Sequence, residues 1–334
     1  VPLVAAFVHV TDVGEELWQR GQRAEAIESW LASLAQRPED AGLRLRLVRA
    51  ELSTHRYQAA LEHARELGDA GRAERGAASY RLAKYAEALA ELPRESEEQL
   101  LMRIDAALLV AGALEGARAD AAELERRGFA RTARAQATLG RIAMLGGERA
   151  GAERHFRRAL ELDPVDRTAL FGLGKLLLDA GKEEEGELLL QRHRKVVPLL
   201  DQLDFAQRSV DLAPSHGPNH AAVGDAQRAL GRSDEAAKAY ETAEAWCRPE
   251  ELAPVVLRHA RLLAEDRKDA RAAVELLDRQ FEKARDVRLL VRAGDLLTQE
   301  RDLVGAQARL RKALELRPND REILARLEKL EAAK

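Results

Sequence analysis

Residues 133–166 read ARAQATLGRIAMLGGERAGAERHFRRALELDPVD, and residues 167–198 read RTALFGLGKLLLDAGKEEEGELLLQRHRKVVP. Leu139–Gly140, Ala143, Gly147, Ala152, Phe156, Ala159 and Pro164 return 34 positions later as Leu173–Gly174, Leu177, Gly181, Gly186, Leu190, His193 and Pro198. So many markers in one order and at one period establish an internal repeat. Each copy has apolar residues at helical spacing on both sides of a glycine and a proline at its end. The pattern predicts a helix A, a turn, a helix B and a stop. Small residues at Gly140 with Ala152, Gly174 with Gly186, and Gly224 with Ala236 predict close helix crossings. Phe156, Leu190 and Tyr240 then fill the groove toward the next pair. A helix pair is too thin to bury its own apolar face, so successive pairs stabilise one another.

The same markers extend outward in both directions. A first unit at about 7–40 carries Gly14, Leu17, Gly21, Ala26, Trp30 and Pro38, with helix A reaching about Arg20 and helix B spanning Ala24–Ala35. A second, 41–68, carries Leu47, Val48, Tyr57, Ala60, Leu61 and Ala64 and ends at Gly68. The third, 69–97, is the weakest: Pro93 shortens its helix B, and 72–91 reads either as one helix or as two. The fourth, 98–132, recovers the pattern but places Asp105 where a small residue is usual. The pair of units at 133–166 and 167–200 completes an N-terminal array, 1–200. Residues 199–213 then break step, with Leu199, Leu200, Leu203, Ala206, Val210 and Leu212 on one face before Pro214. They predict one extra helix, at about 201–214, that either continues helix B past Pro198 or stands separately. A C-terminal array follows over 215–320, as units 217–250, 251–286 and 287–320. The eighth unit is diverged, with Ala273 and Leu277 on its helix B. The segment 321–334 predicts a capping helix with Ile323, Leu324, Leu327 and Leu330 on one face.

Composition agrees with an all-α chain. The 334 residues are 4% aromatic and rich in Ala, Leu, Arg and Glu, and β-branched runs are scarce. Only 10 of the 54 basic residues are lysine, which reads as GC-rich bacterial coding. A net charge of −3 supplies neither a nucleic-acid footprint nor an acidic tail. The single Cys247 excludes an internal disulfide and a multi-cysteine metal site. No stretch approaches the roughly 18–20 apolar residues of a membrane span. The apolar opening Val1–Val10 lacks a basic flank and is not expected to be an intact signal peptide. A chain beginning at Val1 is expected to be trimmed, processed or part of something longer. Both a cytoplasmic and a periplasmic or secreted location stay open.

Motifs for catalysis or metal binding are missing. Gly172-Leu173-Gly174-Lys175 has half of a phosphate loop and lies inside a predicted helix, where its glycines serve packing. His216 and His220 are four apart but have no third ligand nearby in sequence, so they read as solvated residues. His193 stands at a packing position, Cys247 at a helix end, and Glu183-Glu184-Glu185 at a helix start. No catalytic residue, metal site or cofactor is expected.

With its Leu–Gly, Gly, Ala, Phe, Ala and Pro markers, 133–198 resembles the tetratricopeptide repeat family. The resemblance implies a right-handed α-solenoid of about nine helix pairs, and a non-catalytic scaffold whose concave helix-A surface holds a protein or peptide. Transferring the family's groove positions names Arg46, Arg49, Leu52, Met102, Arg103, Arg134, Arg141, Met144, Phe171 and Lys175. Bases recur along that path with apolar residues between them and no acid among them, which suits an acidic segment with apolar side chains. The lining continues as Asp225, Arg228, Arg258, His259, Arg292 and Asp295. Family members that clamp a chaperone's terminal carboxylate use paired asparagines, and here Asn219 and Asn319 do not make such a pair. A self-associating module, or an interaction domain of a larger protein, is the alternative.

Overall fold

The computed structural model describes residues 12–332. The first unit's expected start at residue 7, the opening Val1–Val10, and positions 333–334 of the capping helix lie outside the described residues. The chain divides into two compact units, Val1–Pro198 and Leu199–Lys334. Among the described residues there are nineteen α-helices and no strand.

The first unit holds α1 (Val13–Gln19), α2 (Arg23–Gln36), α3 (Ala41–Ser53), α4 (Tyr57–Arg65), α5 (Arg72–Arg81), α6 (Tyr85–Glu91), α7 (Glu97–Ala107), α8 (Leu114–Arg126), α9 (Ala133–Leu145), α10 (Arg149–Leu162) and α11 (Arg167–Asp179). The division between units falls within α12 (Glu183–Leu212). The second unit continues with α13 (Gly217–Ala229), α14 (Ser233–Trp246), α15 (Pro249–Arg261), α16 (Ala270–Ala284), α17 (Val287–Gln299), α18 (Leu303–Leu316) and α19 (Arg321–Ala332). Within the units, α1 to α11 and α13 to α19 each pack on their sequence neighbours, and helix A also meets helix A of the next pair, as α5 meets α7 and α15 meets α17. These are the stacked helix pairs that the repeat predicts.

Local chemistry sets the boundaries. Asp166 begins α11 by accepting from the Ala169 amide at 2.8 Å. Ser96 and Gln99 form a reciprocal capping box at the start of α7. Gly147, at φ 78°, takes the left-handed turn that ends α9, where a side chain would be strained. Residues 72–91 are two helices, because Ala83 turns the chain at φ 58°. Residues 199–212 form no separate helix. They continue α12 through Pro198, whose missing N–H removes one helical hydrogen bond while the apolar periodicity on both sides persists. In the diverged eighth unit a π turn, Leu262–Asp266, absorbs extra length after α15. Ala273 and Leu277 are fully buried on α16 as expected. In α19, Ile323, Leu327 and Leu330 are buried, but Leu324 is 38% exposed and leaves the predicted face.

Packing explains the repeat's glycines. A Cβ on Gly140 would stand 2.6 Å from the Phe156 ring, one on Gly224 2.7 Å from Tyr240, and one on Gly294 2.8 Å from Leu310. In each pair the glycine of helix A therefore admits the large residue of helix B. Gly172 of the following pair also closes on Phe156, where an added Cβ would lie 2.4 Å from the ring. Phe156 is thus held between two successive A helices, and it is fully buried. Gly174 and Gly186 cross with almost no space, since a Cβ on Gly186 would be 2.8 Å from the Gly174 carbonyl oxygen.

Candidate functional site

The A helices of the first unit carry the groove residues from Arg46 to Lys175, but they use them differently. Arg46 is exposed and pairs with Asp12, with Glu15 at 4.0 Å. Arg49 donates to Glu74 of α5 at 3.0 Å. Met102 is 7% exposed and belongs to the core. Arg103 is only 11% exposed: it donates to Asp120 of α8 at 2.9 Å and to the Leu89 and Leu92 carbonyls at 2.9 and 2.8 Å. Its guanidinium holds α6, α7 and α8 together instead of facing a groove.

The remaining positions come together on α7, α9 and α11. Asp105 of α7 accepts from Arg141 at 2.9 Å and Arg134 at 3.3 Å, so two guanidinium groups share one carboxylate. Tyr80 of α5 donates to the same carboxylate at 3.5 Å. Met144 is half-buried. Phe171 is 46% exposed, and its ring meets His193 at 5.4 Å. Burial, then the charges of Arg167 and Arg194, push His193 below its usual pKa, which favours the neutral ring beside Phe171. Lys175 is exposed and makes no ion pair among the described residues.

Carboxylates therefore accompany the bases along this path: Asp12, Glu74, Asp105 and Asp120 each take one or more of them. Asp105 was visible in sequence as an acid at a small-residue position. Asp120, 1% exposed in its side chain, was not. The same helix-A pairing recurs in the second unit, where Arg258 donates to Asp225 at 2.9 Å and Arg326 to Asp295 at 3.0 Å. Arg228 donates to Asp266 at 3.0 Å, and these bonds push its pKa up. Arg292 lies 3.5 Å from Glu265. His259 does not line a surface. It is 5% exposed, 2.7 Å from Glu244, and stacked on Tyr240.

The other residues considered for chemistry have separate partners. His216 meets Asn219 at 3.2 Å, whereas His220 meets the Pro214 carbonyl at 2.7 Å. Asn219 donates to the Ser209 carbonyl at 2.8 Å, and Asn319 takes a turn at φ 73°. Gly172 and Gly174 lie inside α11, against Phe156 and Leu190. Among the described residues no cluster of three His, Cys, Asp or Glu could hold a metal ion, and no helix is long and apolar enough to cross a membrane.

Burial, then the Glu251 and Glu244 charges, push the Cys247 thiol up to about 11. Thiolate is the reactive form, so alkylation by iodoacetamide near neutral pH is expected to be about a hundredfold slower in the folded chain than in the urea-unfolded chain. Equal rates would show that the thiol is not shielded.

The sequence comparisons give a matching pattern. A family model described as tetratricopeptide repeat matches residues 12–72 and 137–195. No curated protein matches the chain. Solved structures similar to it include TTC0263, a tetratricopeptide repeat protein of Thermus thermophilus, at 20% identity over 60% of this chain and 100% of that one, TM-score 0.33. YrrB, described as a repeat protein with an unusual peptide-binding site, is 16% identical over 65% and 98%, TM-score 0.30. Yeast Tom70 is 12% identical over 96% and 94%, TM-score 0.30. Superposition at this level transfers no residue from those proteins to this one.

Proposed function

We propose that this chain, a tetratricopeptide repeat protein, is a non-catalytic scaffold that holds a protein segment along the A helices of its first unit. The segment is extended and acidic, with apolar side chains, and it lies against α7, α9 and α11. The observation that carries this reading is bases with few acids beside an exposed ring on neighbouring A helices: Arg134 and Arg141 of α9 share Asp105, and on α11 Lys175, without an ion-pair partner among the described residues, stands one turn from Phe171, which is 46% exposed. A carboxylate arriving there meets incompletely neutralised donors, and an apolar side chain has a ring to cover. Arg46 and Arg49 already have acidic partners and Arg103 and Met102 are buried, so they contribute less to such a surface.

Affinity capture from the source cells, with the captured protein then bound in purified form, tests the reading. Lys175→Glu with Phe171→Ala should weaken binding by about a hundredfold while leaving the helical circular dichroism unchanged. Undiminished binding would move the site off these helices. Self-association is the second reading, and sedimentation at two concentrations separates it, because a partner-binding monomer keeps one sedimentation coefficient.

A further inference from the structure

We propose that a hollow between α3, α5 and α7 takes one large apolar side chain of the bound segment, with a carboxylate of that segment beside it on Arg81. The proposal rests on the reading of the A helices as a segment-binding surface and adds a second anchor to it. The hollow measures about 390 Å³, within the range of small ligand sites. It exists because α5 presents Ala73 and Ala77, one turn apart, between the bulkier Leu52 of α3 and Met102 of α7. Buried Leu92 also lines it, and Tyr57 forms part of the wall. Its floor, Ala73 and Ala77, and Arg81 and Leu92 beside them come from the third repeat, from which transferring groove positions named nothing.

The charges around the hollow select the neighbour of the apolar side chain. Arg49 and Glu74 both line it but are paired at 3.0 Å. Arg81 is exposed and makes no ion pair among the described residues. Glu98 is also exposed and without an ion pair among them, but it lies in the first turn of α7, whereas Arg81 ends α5. The bonds from Arg72 to the Ala90 carbonyl and from Arg75 to Glu91 set α6 antiparallel to α5. Those from Arg103 back to Leu89 and Leu92 set α7 antiparallel to α6. Hence α5 and α7 run the same way, and Arg81 and Glu98 occupy opposite ends of the hollow. An acid is attracted at the Arg81 end and repelled at the Glu98 end, which orients the segment.

Panning random phage-displayed peptides on the full chain tests this. Selected peptides should carry Leu, Met or Phe next to Asp or Glu. Ala77→Phe, which fills the hollow, should weaken the selected peptides by about tenfold or more. The exposed Arg81→Glu should reverse the preference toward a basic neighbour without disturbing the fold. Peptides lacking that pairing, or binding unchanged in both variants, would overturn the proposal. If Lys175→Glu abolishes binding and the hollow variants do not, the segment-binding reading stands and the hollow is not its anchor. If no sequence is enriched on the unaltered chain, both readings fall.

Discussion

Replacing Phe156 by Ala is expected to destabilise the first unit by about 3–5 kcal/mol. The ring is fully buried, and it is gripped by Gly140 of its own pair and Gly172 of the next. Truncation therefore leaves a cavity and loosens the joint between two pairs at once. Glycine backbones cannot refill the space, because neither position has a side chain to move. In stacked repeats such a loss is felt locally, so urea unfolding should be followed with amide exchange in α9, α10 and α11. Exchange there should accelerate well beyond that in the second unit. An unshifted unfolding midpoint would contradict the packing described for Phe156.

Arg103→Met is expected to cost about 3 kcal/mol, in the range for breaking one side of a buried ion pair. Asp120 has 1% of its side chain exposed, and Arg94 is its other ion-pair partner. The substitution also leaves the Leu89 and Leu92 carbonyls without the donor they share. By contrast, Arg46→Met removes an exposed pair and should change stability by about 1 kcal/mol or less. Thermal unfolding of the two variants side by side is the measurement, and equal midpoints would refute the assignment of Arg103 to the interior. The difference matters for functional work: charge reversal at Arg103 would report on folding, whereas Lys175 and Phe171 report on the surface.

The groove positions transferred by resemblance fell on the A helices throughout, but sequence could not separate exposed bases from structural ones. Arg103 and Arg141 were both named as groove positions, yet one is enclosed by three helices and the other shares a partly buried carboxylate with Arg134. With 54 basic and 57 acidic side chains, nearly every arginine has several possible acids within reach of the fold. Asp105 was legible as an anomaly at a small-residue position. The hollow beside Ala77 was not, because an alanine's contribution there is the volume its neighbours leave unfilled.

The sequence by itself determined the helix pairs, their period and the glycine-to-large-residue contacts, since these repeat within about 34 residues and need only a neighbouring pair to form. It also carried the left-handed glycine turns and the acidic and hydroxyl caps, which are local. Tertiary structure alone decided that α12 runs on through Pro198, that 72–91 breaks at Ala83, and which carboxylate each arginine takes. Those outcomes depend on side-chain ends and backbone geometry set by several helices together. No single repeat's pattern encodes them.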